Sequence, residues 1–350
     1  MNLNESAFFA GFLLFIVFLL FLDLGIFNKR EKVLSFKEAF TWTALWVLCA
    51  LGFYLFLAWH GEWLHGITTS EQLGEVTRHY GETLKNQTAS FPDLLQSYRK
   101  LISIEFITGY LLEESLSIDN VFIIMVIFAY FKVEKKHYHR VLFWGILGAV
   151  VLRFVFIFTG AALVARFNWI LYIFAAFLVY TGAKMLFSKE DGDDNVRSNP
   201  VLRFLSKHFR IFPSFEGNRF FIKKDGKTFM TPLFLTLAVI ECTDLVFAFD
   251  SIPAIFAVTK DPYIIFFSNI FAILGLRSLF FVLSSIVGLF HYFKIGLSLL
   301  IIFIGLKMFF DPYLHRLGFT HIHLLAVVLF ILIGSIVASL IFPKRAAEKT

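Results

Sequence analysis

The chain has 350 residues, of which 58% are hydrophobic and only 17% charged, with a mean hydropathy of +0.75. That balance excludes a soluble globular domain, and the net charge of +6 is no nucleic-acid signal because it follows the loops rather than one patch. Cys49 and Cys242, the two cysteines, both lie in apolar stretches, which excludes a secreted disulfide framework.

In chain order the apolar stretches fall at about 8–27, 40–60, 103–131, 139–165, 167–187, 231–258, 262–288, 291–311 and 320–342. Each is near the ~20 residues that cross a hydrocarbon core. They predict an all-α polytopic membrane protein with about nine transmembrane helices. The 48 phenylalanines suit lipid-facing surfaces. The first stretch lacks a basic leader and is followed by Lys29-Arg30-Glu31-Lys32, so it reads as a retained span rather than a cleaved signal. Of the 32 Lys and Arg, 21 fall in 28–37, 132–140, 189–227, Lys294 and 344–349, and 7 fall on the other side. The basic side is cytoplasmic, which puts the N-terminus outside and the C-terminus inside. Arg153, Lys184, Arg277 and Lys307 lie within spans, and the two lysines, near span ends, read as snorkelling.

Five segments follow. Residues 1–102 hold two spans and an outer loop (61–102), and 103–187 hold three spans. Residues 188–230 form a basic cytoplasmic loop, 231–311 hold three more spans, and 312–350 hold the ninth span and the tail. The loop's run Glu190-Asp191-Gly192-Asp193-Asp194-Asn195 lacks the spacing of an EF-hand and reads as solvated.

Spans three to five repeat as spans six to eight. Glu113 stands six residues before Asp119, as Asp244 does before Asp250. Gly148 to Arg153 matches Ala272 to Arg277, and Tyr180 to Phe187 matches Phe303 to Phe310. An odd number of spans separates the copies, so the repeat is an inverted pair of three-helix units, a plan that places its binding site near the midplane between units.

Acid in those spans is the functional signal. A carboxylate at the bilayer centre costs roughly 2.5–3.5 kcal/mol on insertion scales. Seven in-span acids (Glu105, Glu113, Glu114, Asp119, Glu241, Asp244 and Asp250) stand against four bases, so a bound cation is the natural partner. Six residues rise about 9 Å along a helix, and inversion then sets Glu113 level with Asp250 and Asp119 level with Asp244. The members of each pair sit roughly 120° apart in azimuth, which local unwinding would relieve. Pro253 supplies a cause, since it leaves the carbonyl of Phe249 without a donor. Glu241 and Asp244, three apart, share a face, and Asn120 and Ser251 add neutral oxygens. The candidate metal ligands are therefore Asp119, Asp244, Asp250, Glu113, Glu241 and Asn120, supported by Ser251, Phe249, Arg153 and Arg277, the arginines as counter-ions to the empty site. An all-oxygen set suits Mn2+, Ca2+ or Mg2+ better than zinc or copper.

At these residues the chain resembles the TerC/Alx family of bacterial integral membrane proteins. The resemblance rests on Glu113 to Phe122, on Glu241 through Asp250-Ser251-Ile252-Pro253-Ala254 to Thr259, and on Asn269 to Arg277. It implies a nine-span protein of the bacterial inner membrane linked to manganese efflux, with acidic ligands in spans three and six. The outer loop is longer than such proteins carry.

The leading expectation is a divalent-cation exporter, for Mn2+ first, working by alternating access, with protonation of the crowded carboxylates as a means of release. The rival is a membrane partner that hands metal to exported proteins at the secretion machinery. An acid-lined cavity repels oxyanions, and no Gly-x-Gly-Asp of an intramembrane protease accompanies either acid, so no enzyme is expected. Neither the oligomeric state nor a nucleic-acid partner is indicated.

Overall fold

The computed structural model describes residues 3–27, 35–80, 90–167, 169–187, 210–212, 214–224, 226–286 and 292–341. Its helices are α1 (Leu3–Phe27), α2 (Phe36–His60), α3 (Ser70–His79), α4 (Phe91–Tyr130), α5 (Lys135–Arg166), α6 (Ile170–Phe187), α7 (Pro232–Phe256), α8 (Pro262–Ile286), α9 (Phe293–Arg316) and α10 (His321–Ile341). A 3-10 turn, Gly61–Leu64, follows α2, and a hairpin of β1 (Phe221–Lys224) and β2 (Lys227–Met230) precedes α7. The acidic run 190–195 and the basic tail 344–349 lie outside the described residues.

Seven helical stretches are long and apolar enough to cross a membrane: Phe36–Leu64, Lys135–Arg166, Ile170–Phe187, Pro232–Phe256, Pro262–Ser285, Phe293–Asp311 and His321–Ile341. The protein is thus an all-α polytopic membrane protein. Helix α1 contributes a shorter apolar stretch, Ser6–Leu19. Helix α4 is long enough at 40 residues, but Glu105, Glu113, Glu114 and Asp119 crowd the part that would cross.

Local chemistry sets the helix starts. Ser35 and Glu38 form a capping box for α2, and Thr69 and Gln72 form one for α3, each satisfying otherwise orphaned N–H groups. Ser90 and Pro92 open α4, and Thr231 with Pro232 opens α7. Helix α4 begins twelve residues before the stretch expected at 103, so the boundary drawn at 102/103 falls inside a continuous helix. The cap lies upstream of the apolar run, and hydropathy alone does not find it.

Helix α8 is the hub. It packs on α4, α2 and α5, and 94% of its span is buried, against 17% for Phe36–Leu64. Around its first half stand Phe12, Phe53, Phe106, Phe267 and Phe271; the ring centroids of Phe12 and Phe267 are 4.0 Å apart and those of Phe53 and Phe106 are 5.0 Å apart. Much of the phenylalanine is therefore interior packing rather than lipid-facing surface. Lipid tails and protein interior are equally apolar, so composition does not separate the two.

Two sets of glycine contacts exchange between the stretches matched in the sequence. A Cβ on Gly182 of α6 would lie 3.0 Å from both the Ser298 carbonyl oxygen and the Ile302 nitrogen of α9. On Gly305 of α9 it would meet the Ala175 carbonyl oxygen at 2.9 Å and the Val179 nitrogen at 3.0 Å on α6. The pairs 182 and 305, 175 and 298, and 179 and 302 are all separated by the same interval. Elsewhere Gly109 of α4 faces Ser268 of α8, and Gly145 of α5 faces Ile240 of α7.

The end of the bundle beside residues 61–80 is strapped. Glu62 accepts two hydrogen bonds from Arg99 of α4, at 2.6 Å each. His65 Nε2 lies 2.8 Å from Asp261 Oδ2, in the turn between α7 and α8, and Asp261 Oδ1 accepts from the Tyr263 amide at 2.9 Å. Lys307 does not run free to the surface as expected. Its Nζ donates to the Ala257 carbonyl at 2.8 Å and pairs with Asp311, closing the C-terminus of α7. Lys184 is exposed. At the other end, His137 meets Asn218 at 2.5 Å and Arg140 lies over Phe220, which docks the chain before the hairpin onto α5.

Replacing Gly182 with valine should lower the stability of the detergent-solubilised protein by about 1–3 kcal/mol, because backbone rather than a flexible side chain occupies the space. Gly52→Ala, with nothing within 4 Å, should leave the melting temperature unchanged.

Candidate metal centre

Four helices deliver polar groups to one interior point. Arg153 of α5 is 1% exposed and Glu113 of α4 is fully buried. Arg153 Nη1 donates to Glu113 Oε1 and to Asn269 Oδ1 of α8 at 2.7 Å. Its Nη2 stands 3.6 Å from Asp244 Oδ1 of α7. Asn269 Nδ2 donates in turn to the Ile265 carbonyl at 2.9 Å.

Glu241, one turn before Asp244, lays its carboxylate over Gly148 of α5: a Cβ there would sit 2.2 and 2.3 Å from its oxygens. The glycine makes the room, and Glu241 and Asp244, three residues apart, share one face of α7. Two carboxylates, Glu113 and Asp244, thus flank one guanidinium, with Glu241 a turn before Asp244 on α7. An ion pair at 4 Å contributes about 4 kcal/mol at an effective dielectric of 20, while each buried charge costs several kcal/mol in lost hydration. One arginine does not offset two acids, with a third a turn away.

Oxygens remain to receive a cation. Glu113 Oε2 and Asp244 Oδ2 are buried without a hydrogen-bond partner, as are Ser117 Oγ and Ser251 Oγ. Asn120 is buried on α4. Glu114 points away from this point: its carboxylate comes within 4 Å of where a Cβ on Gly275 would lie, beside Trp46. Arg277 Nη1 lies 2.8 Å from His139 Nε2, so the second arginine has a partner on α5 that the sequence did not suggest. The side chains of Asp119, Phe249 and Asp250 lie outside the described ones; their backbones belong to α4 and α7. Among the described residues no three His, Cys, Asp or Glu side chains form a ready metal cage.

Two expectations change. The six-residue spacing places Glu113 and Asp244 in separate layers, yet the two Nη atoms of one guanidinium reach both, so these two acids lie side by side. Local unwinding at Pro253 does not occur: α7 runs unbroken to Phe256, and Ala257 N closes back on the Pro253 carbonyl at 3.2 Å. Pro253 still deprives the Phe249 carbonyl of its i+4 donor, but the helix carries on through it for one more turn. Asn269 was not anticipated as a site residue; an amide inside the apolar start of α8 was the available signal.

The family model described as "Integral membrane protein TerC family" matches residues 98–347. The chain belongs to the TerC family. Among curated proteins it is 39% identical over 345 residues to the uncharacterized membrane protein STKORF319 of Myxococcus xanthus, covering 99% of this chain and 95% of that one. It is 40% identical over 307 residues to the putative membrane-bound redox modulator Alx of Photorhabdus laumondii, covering 87% of each chain. Alx of Salmonella typhi, with the same description, is 39% identical over 307 residues, covering 87% of this chain and 86% of that one. No solved structure is similar. As a TerC-family protein the chain carries its acids on two of the helices within the matched region, α4 and α7.

Removing one side of the buried pair tests its role in folding. Arg153→Leu should destabilise the TerC-family protein by about 3–5 kcal/mol in thermal unfolding, because it strands buried carboxylate, and adding Glu113→Leu should recover most of that loss.

Proposed function

We propose that this TerC-family protein exports a divalent cation, Mn2+ first, with Ca2+ and Mg2+ as weaker candidates. The observation that carries the reading is the meeting of Glu113 and Asp244 at one buried arginine, with Glu241 a turn before Asp244 and acid oxygens left unpartnered. An entering cation with two positive charges would supply what Arg153 alone does not. Asp119, Asp250 and Asn120, further along α4 and α7, would serve as ligands on the way in or out.

In this reading the chain crosses the bacterial inner membrane nine times, with α1 and α4 added to the seven apolar spans, the N-terminus outside and the C-terminus in the cytoplasm. Residues 103–187 and 231–311 are inverted repeats. The exchanged contacts of Gly182 and Gly305 support that plan: in a two-fold arrangement a contact between two residues recurs between their counterparts. Because Gly182 meets the counterparts of Ala175 and Val179 rather than its own, the paired helices run antiparallel. Alternating access is then rocking of one unit on the other about the α6–α9 crossing. The strap through Glu62–Arg99 and His65–Asp261 ties α4 to the α7–α8 turn and would have to yield for the outer side to open. Protonation of the gathered carboxylates would favour release of the cation.

Flux of Mn2+ into or out of proteoliposomes tests the reading. Asp244→Asn and Asp119→Asn should each slow it at least tenfold, and an imposed pH gradient should change the wild-type rate. Undiminished flux in both variants would remove the proposal.

A further inference from the structure

Asn269 occupies a position that no charged or aliphatic residue could fill. It is fully buried, with a guanidinium on one side and a helix carbonyl on the other. Guanidinium offers donors and no acceptor, and a carbonyl is an acceptor only. The amide therefore has one orientation, with Oδ1 towards Arg153 at 2.7 Å and Nδ2 towards Ile265 O at 2.9 Å. Flipping it would set donor against donor and acceptor against acceptor. Each Nη of an arginine carries two hydrogens, and on Nη1 of Arg153 one goes to Glu113 and the other to Asn269. Asn269 is thus the uncharged half of the guanidinium's support, and the carboxylates are the charged half.

That division matters if a metal is to enter, and the inference rests on the cation-export reading above. A divalent cation that binds Glu113 and Asp244 must take them from Arg153. A guanidinium with only carboxylates for partners would hold them tightly and would be left buried and unpaired once displaced, at a cost of several kcal/mol. A neutral acceptor behind it lowers both penalties. It draws one N–H away from the acids beforehand and keeps that N–H satisfied afterwards, without adding negative charge that would trap the metal.

We propose that Asn269 is the positioning residue that makes Arg153 a displaceable counter-cation, so that the affinity of the carboxylates for a divalent cation is set from α8 through the guanidinium. It touches no ligand itself, in the manner of the outer-shell groups that tune metal sites.

Titration of purified full-length protein with MnCl2 tests this, using Asn269→Leu with and without Arg153→Gln, and Asn269→Gln. With Arg153 present, Asn269→Leu should weaken Mn2+ binding about tenfold, the order expected for loss of a charged hydrogen bond. In the Arg153→Gln background the same change should alter affinity less than twofold, because residues acting through one partner are not additive. Asn269→Gln, which keeps the amide, should restore most of the affinity. Equal weakening in both backgrounds, no weakening when Arg153 is present, or loss of binding on Arg153→Gln alone would overturn the proposal. If Arg153→Gln does not fold, the comparison of leucine with glutamine at 269 decides, and glutamine as poor as leucine overturns it. Wild-type protein that binds no Mn2+ would overturn the export reading as well, whereas wild-type binding with unchanged variants overturns only the role of Asn269.

Discussion

A buried guanidinium between carboxylates from two different helices is the constraint around which the structure is arranged. Arg153 is tied to Glu113 on α4, stands near Asp244 on α7 and is backed by Asn269 on α8. None of the four tolerates water loss alone, so the helices that carry them must keep a common geometry. Helix α8 provides it: almost wholly buried, it presents Asn269 to the centre and its phenylalanines to α1, α2 and α4. The remaining helices shelter this core or close its ends, as Lys307 does at α7 and His65 does at the α7–α8 turn.

The same arrangement explains how a rigid fold could still move. Close glycine crossings let the backbones of α6 and α9 approach each other directly. On the proposed reading the charged centre has two states, its acids neutralised by the arginine already present or by an incoming cation. Two states of similar free energy, distinguished by which positive charge holds the acids, are what a carrier requires.

Much of this was legible in the sequence because hydropathy and charge obey strong rules in a bilayer. Seven of the expected spans and the burial of Arg153 with Glu113 follow from the cost of charge in hydrocarbon, and Gly182 and Gly305 stood in matched segments before their contacts were seen. What escaped depends on direction rather than on type. Nothing in the order of residues says that Arg153 reaches past Glu113 to Asp244, that Glu241 rests in the hollow of Gly148, or that Arg277 turns to His139. The start of α4 was hidden because it lies upstream of the apolar run, and the unwinding assigned to Pro253 failed because α7 continues through the lost hydrogen bond to Phe256.

The central claim is that a divalent cation and Arg153 compete for the same acids. Crystals grown with Mn2+ and measured at the manganese absorption edge test it most directly. The account predicts an anomalous peak at ligand distance from Asp244 together with Glu113 or Glu241, with Arg153 drawn back onto Asn269. Density free of manganese at those carboxylates, with Arg153 still bridging Glu113 and Asp244 in saturating Mn2+, would contradict it.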